Sequence, residues 1–340
     1  MAIRKWTVVS ALALVAAFAL TVVSVGAAKS TKTQAAAPLK VAVITDIGGL
    51  NDKGFNSLAY KGLKDAQKSL GVQGRVFISK SPQDYIPNLS TAAKDGYDLV
   101  VAVGFLMSDS TAAVAKRYPK TKFAIVDVSA PSMKGKPKNV RGIVFAEQEA
   151  GCLAGVAAAQ VTKSNTIASV GGLKIPPVDA FIAGYQYCAK KVKPSITTLN
   201  DYSQDFVAQD KCKELALKQN DDGADVLFQV AGQCGLGDLA AAKERGVWGI
   251  GVDNDQAFIG PQVLTSAVKK VDRGVYLTIA LTKSGKFKGG IDGINNVKNG
   301  GVGYGKVSTK APNRAALIGK LNLWAKQIAS GKVKPPRTVK

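Results

Sequence analysis

No histidine occurs anywhere in the 340 residues. That excludes Ser-His-Asp and Cys-His nucleophile pairs and takes away the usual nitrogen ligand of zinc. Cysteine is scarce too: Cys152, Cys188, Cys212 and Cys234 are the whole set, with no C-x-x-C spacing among them. No G-x-S-x-G elbow is present. Carboxylates such as Asp253 and Asp255 stand close together, but nothing in their spacing marks them for acid–base work. These absences predict a protein that is not an enzyme and that carries no metal and no cofactor.

Long apolar runs are confined to the N-terminus. Arg4 and Lys5 precede an almost wholly apolar stretch from Trp6 to Val25, and small residues follow at Gly26, Ala27 and Ala28. That is the layout of a secretory signal over residues 1–28, with cleavage after Ala27 or Ala28. Left uncut, the same stretch is long enough to anchor the chain in a bilayer. Residues 29–38, rich in Ser, Thr, Gln and Ala, read as a flexible tether. The expected location is outside the cytoplasm: cell-surface, periplasmic or secreted.

Acidic residues are few. Lys and Arg number 46 against 24 Asp and Glu, a formal charge of +22. The basic residues are scattered and not interleaved with aromatics in a stripe, so a solvated surface facing an anionic envelope is favoured over nucleic-acid binding. In an oxidising compartment four cysteines suggest two disulfides, with three pairings open and free thiols as the alternative. Cys188 continues an apolar helical stripe with Phe181 and Tyr185, and Cys212 continues one with Leu215 and Ala216. If those consecutive helices share a sheet face, the pairs are Cys188–Cys212 and, by remainder, Cys152–Cys234.

Between these features, short apolar runs alternate with helical patterns. That is the signature of parallel sheets built from βα units. One series runs from Lys40 to Phe145 and a second from Glu149 to Asp253, which predicts an α/β chain of two lobes, each a doubly wound sheet. Residues 39–145 with 256–286 are expected in the first lobe, and 146–255 with 287–340 in the second. The last segment is too short for a third lobe and must return to the two sheets, creating a hinge and a closing cleft. Ligands bind beyond the carboxyl ends of such strands. Here those ends carry Asp46, Gly104, Asp127, Gly171, Gly232 and Asp253. In the turn after Asp46, Asn56 is a fair helix cap, and Phe55 either points to the strand end or staples its own helix.

Gly235-Leu-Gly237-Asp-Leu-Ala240, with Asp253 further on, matches a dinucleotide fingerprint. It falls in the second lobe of an exported chain, where a helix N-terminus lining a cleft is the better reading.

Longer runs carry a resemblance. Lys40-Val-Ala-Val-Ile-Thr-Asp46, Asp52-Lys-Gly-Phe-Asn56, Val103-Gly-Phe105 and Phe123-Ala-Ile-Val-Asp127 come first. Leu153-Ala-Gly155, Val170-Gly-Gly172, Ile175-Pro-Pro-Val178 and Ala224-Asp-Val-Leu-Phe228 follow, then Gly249-Ile-Gly-Val-Asp-Asn-Asp-Gln256 and Leu264-Thr-Ser-Ala-Val-Lys-Lys-Val-Asp272. Over roughly residues 39–335 the chain resembles the basic membrane protein (BMP) family of ABC-transporter substrate-binding lipoproteins, similar to purine nucleoside receptors. The resemblance implies the type I periplasmic-binding fold, a permease as partner and a monomer. It further implies that Phe55 and Phe206 sandwich a base, that Asp46 and Asp127 face the ligand, and that Asp253 and Lys269 hold ribose hydroxyls. Asn51, Gly104, Phe105 and Gly232 complete the expected ligand-binding set. A free nucleobase, a sugar or another small polar metabolite is the alternative ligand, and a dinucleotide-dependent enzyme is the less favoured one. Three features depart from the family: the lipid-bearing cysteine is missing, the turn after Asp46 is Gly-rich, and Gln233-Cys-Gly235 replaces smaller residues.

Overall fold

The computed structural model describes residues 37–339; the predicted signal and most of the tether lie outside the described residues. The first series forms β1 (Lys40–Ile44), α1 (Phe55–Leu70), β2 (Gln73–Phe77), α2 (Tyr85–Lys94), β3 (Leu99–Val103), α3 (Ser108–Arg117), β4 (Lys122–Val126) and β5 (Val140–Phe145). The second forms α4 (Glu147–Val161), β6 (Thr166–Gly171), α5 (Pro176–Val192), β7 (Thr197–Tyr202), α6 (Gln209–Asp221), β8 (Val226–Val230), α7 (Gly235–Arg245) and β9 (Trp248–Asp253). β10 (Val263–Lys269), α8 (Val271–Lys283), β11 (Asp292–Asn295), β12 (Val302–Tyr304) and α9 (Arg314–Ala329) complete the chain.

Central strands such as β3 and β8 are buried at every position, because helices cover both faces of a parallel sheet. The two six-stranded sheets have matching orders: β2-β1-β3-β4-β5-β11 and β7-β6-β8-β9-β10-β12. Every pairing is parallel except β10 with β12. This is the doubly wound two-lobe architecture expected from the βα alternation.

The lobe boundaries differ from expectation after residue 256. β10 pairs with β9 in the second sheet, whereas 256–286 was expected in the first lobe. α8 from the same stretch does pack on α1 in the first lobe. β11 lies in the first sheet beside β5, although 287–340 was assigned to the second. The chain therefore crosses between sheets at Phe145–Glu147, at Lys269–Val271 and between β11 and β12. Edge strands of four and three residues, glycine-containing and half-exposed, give too little apolar pattern to be placed from sequence.

The disulfides also differ. Cys152 pairs with Cys188 and Cys212 with Cys234, not Cys188–Cys212 and Cys152–Cys234. The expectation required α5 and α6 to share a sheet face. The strand order reverses between β6→β7 and β7→β8, so right-handed crossovers place those two helices on opposite faces. α5 packs on α4, and α6 on α7. Gly151 and Gly155 lie against the Phe181 and Tyr185 carbonyls and Gly184 against that of Gln148, leaving no room for a Cβ between α4 and α5.

Candidate functional site

At the carboxyl ends of both sets of strands lies one cleft, where doubly wound sheets bind their ligands. It is lined from the first lobe by Asp46, Phe55, Gly104, Phe105 and Asp127, and from the second by Phe206, Gly232, Asp253 and Lys269. Of the residues expected to bind ligand, only Asn51 stands apart. It is exposed, because the next residue turns inward. The buried carboxylate of Asp52 accepts from the backbone N–H groups of Gly54, Asn56 and Ser57 at 2.6–3.2 Å, satisfying orphan donors at the start of α1.

Asn56 is consequently not the cap. Inside the first turn of α1, it donates through Nδ2 to Asp46 Oδ1 at 2.6 Å and accepts the Asp46 N–H at 3.2 Å. Burial pushes the Asp46 carboxyl up to about 6, while the bonds from Asn56 and Gly48 oppose that shift. Phe55, the first residue of α1, faces the cleft beside Gly104. A Cβ on Gly104 would stand 2.9 Å from Asp46 Oδ2 and 3.3 Å from the Phe55 ring, at a φ of +116°. Glycine alone fits there. In the second lobe Gly172 lies against the Phe206 ring with no space for a side chain.

Asp127 and Asp253 occupy the same place in their lobes. The former follows β4, the latter ends β9, and both have left-handed backbones, with φ of 69° and 61°. Such conformations in non-glycine residues cluster where side chains are held for binding. Each keeps a buried oxygen, Oδ1, without a hydrogen-bond partner among the described residues.

Lys269, at the crossover that ends β10, is 2% exposed. Its Nζ lies 2.8 Å from Asp127 Oδ2 and 3.8 Å from both Glu147 Oε1 and Asp253 Oδ1. It also lies 4.8 Å from the centroid of the Phe55 ring, with Phe145 and Phe181 at 5.4 and 5.5 Å, a cation–π environment. Burial disfavours its charge, but the three carboxylates outweigh burial and hold the ammonium above its ordinary range. Burial drives Asp253 up to about 7, with Lys269 opposing. Glu147 is likewise pushed up to about 7 by burial, against Lys269 and Arg337.

Glu147 was missed by sequence reasoning. It stands two residues beyond β5, as Asp46 stands beyond β1, so the strand-end rule that found Asp46 applied equally to it. Its second oxygen accepts from Arg337 Nη2 at 2.8 Å, and Arg337 Nη1 also donates to Gln148 and to the Phe145 carbonyl. No sequence signal links Arg337 to a residue 190 positions away.

The glycines of the fingerprint-like run do not line the cleft. Gly235 packs against Gln229, and Gly237 against the Gln209 carbonyl, so neither offers its backbone to a ligand. Asp238, next after Gly237, is fully buried, and burial holds its carboxyl well above the ordinary range. No helix among the described residues is long and apolar enough to cross a membrane.

Residues 39–336 match a family model described as Bmp, ABC transporter substrate-binding protein PnrA-like. The chain is 37% identical to the ABC transporter nucleoside-binding protein BmpA of Lactococcus lactis, over 89% of this chain and 91% of that one. It is 33% identical to basic membrane protein A1 of Borrelia garinii, over 78% and 79%. A solved ABC transporter solute-binding protein from Aeropyrum pernix superimposes with a TM-score of 0.77 at 27% identity, covering 87% of this chain and 93% of that one. The Lactococcus lactis and Aeropyrum pernix relatives are solute-binding proteins, not enzymes. The chain belongs to the Bmp family, the extracytoplasmic substrate-binding proteins that deliver a small molecule to the permease of an ABC transporter.

Proposed function

We propose that the ligand is a purine nucleoside, held between the lobes and handed to the permease of an importer. One observation carries this reading: Asp127 Oδ1 and Asp253 Oδ1, buried oxygens without a hydrogen-bond partner among the described residues, share a cleft with Phe55 and Phe206 from opposite lobes. A ribose presents hydroxyl donors and a purine presents a flat ring, so one molecule answers both features. Asp253 accepts from a ribose hydroxyl and Lys269 donates to one, while Asp46 and Asp127 face the ligand. Each ring contributes about 1–3 kcal/mol if it stacks on the base. The nucleoside-binding designation of the Lactococcus lactis relative supports the same class.

Melting the protein with adenosine, guanosine, adenine or ribose tests this, because a ligand that binds only the folded state raises the midpoint. Nucleosides at about 1 mM are expected to raise it by several degrees. No shift with any nucleoside would sink the proposal. A shift with adenine or ribose alone would reassign the site to a free base or a sugar.

A further inference from the structure

The first lobe has a second distinctive face, opposite the cleft. Residues 128–146 contain no acid, and neither do residues 283–291, and the fold lays these stretches side by side. Gly290 donates its N–H to the Val140 carbonyl, Gly142 to that of Ile291, and Arg141 Nη1 to that of Lys288. Asn139 Nδ2 donates to the carbonyls of Ala115, Tyr118 and Thr121, drawing the end of α3 and its following turn to the same place. Lys120, Lys134, Lys136, Lys138, Lys286 and Lys288 are all exposed there. None joins an ion pair among the described residues. Two nearby acids are engaged by backbone, Asp98 accepting the Lys40 N–H and Asp292 that of Ala130, and Asp95 is exposed beside Lys40.

We infer that this face docks on an anionic bilayer surface. Three observations select a membrane. The six cations outnumber the few acids around them, a net positive patch that suits a layer of phosphate headgroups. Ile291, 43% exposed, and half-buried Phe287 stand beside Lys286 and Lys288, giving the patch apolar side chains that can enter a headgroup region. All strands of the first sheet are parallel, so β1 begins on this same face, with Asp98 donating its N–H to the Lys40 carbonyl. The described chain thus enters the fold at β1 on the face proposed to meet the bilayer, and the cleft lies at the other end of the strands.

The test is sedimentation with vesicles. Every described strand and helix lies between Lys40 and Ala329, so a chain starting at Lys29 contains the whole fold without the apolar leader. It is expected to bind vesicles of phosphatidylglycerol mixed with phosphatidylcholine at about 0.1 M salt, and to be released at about 1 M. The triple variant K134E/K136E/K138E should lose at least about tenfold in partitioning. The control K190E/K191E/K193E, with the same charge change at the end of α5, should lose less than about threefold. Both variants must melt as the parent does; if the cluster variant does not, K286E/K288E is scored in its place. Equal losses in cluster and control variants, or equal binding to pure phosphatidylcholine, would overturn the inference. So would binding to soluble polyphosphate without binding to vesicles.

Discussion

Lys269 Nζ and Asp127 Oδ2 are joined at 2.8 Å, both nearly inaccessible to solvent, across the two sheets of the molecule. Lys269 belongs to the second sheet and Asp127 follows a strand of the first. The pair therefore ties the two lobes together, with Lys269 at the crossover that follows β10. Both residues also line the cleft.

Removing the cation leaves three buried acids without it. Lys269→Met is expected to lower stability by about 3–5 kcal/mol at neutral pH and to abolish ligand binding. Thermal or urea unfolding, followed at pH 5 and pH 8, checks this. The loss should shrink at the lower pH, where Asp253 and Glu147, both with raised pKa values, are relieved by protonation. A loss independent of pH would point to packing alone.

The pH dependence of the parent protein has a definite sign. Asp46, Asp253 and Glu147 have folded pKa values raised to about 6, 7 and 7 from ordinary values near 4. The folded state therefore holds more protons than the unfolded state between about pH 4 and pH 7. The stability these groups lend at low pH is lost progressively as pH rises from about 4 through the folded values of about 6 to 7. Asp253→Asn should flatten that slope and raise the melting midpoint at pH 8, while weakening ribonucleosides more than free bases. Midpoints measured from pH 5 to pH 8 decide it. An unchanged slope would show that Asp253 does not titrate in this window.

Phe206 is half-buried in the cleft and belongs to no sheet. Phe206→Ala should cost nucleoside affinity about 5–150-fold, the equivalent of 1–3 kcal/mol, with a melting change of only a few degrees. Calorimetric titration beside a melting curve separates the two. A large melting loss with unchanged affinity would mark Phe206 as a packing residue.

The disulfides tie different layers. Cys152–Cys188 joins α4 to α5, while Cys212–Cys234 links the start of α6 to the turn before α7. Replacing either pair by alanines should lower stability by about 2–4 kcal/mol. Pairwise replacement with mass mapping under non-reducing conditions is the check. A Cys188–Cys212 crosslink would contradict the arrangement of helices described above.

The βα alternation, the apolar strands and the strand-end residues Asp46, Gly104, Asp127 and Asp253 are local properties. A run such as Leu99–Val103 is buried wherever it sits, and the residue after it must face the carboxyl end of its sheet. Sequence alone therefore determined the two-lobe architecture and the position of the cleft, and family motifs supplied the rest of the expected ligand set. Tertiary structure decided everything that depends on which elements become neighbours. The cysteine pairing followed the face each helix took, which crossover handedness sets. Arg337 reached Glu147, and two acid-free stretches became one surface, through contacts between residues about 150–190 positions apart. No local pattern encodes such contacts, because they exist only once the chain has crossed between its sheets.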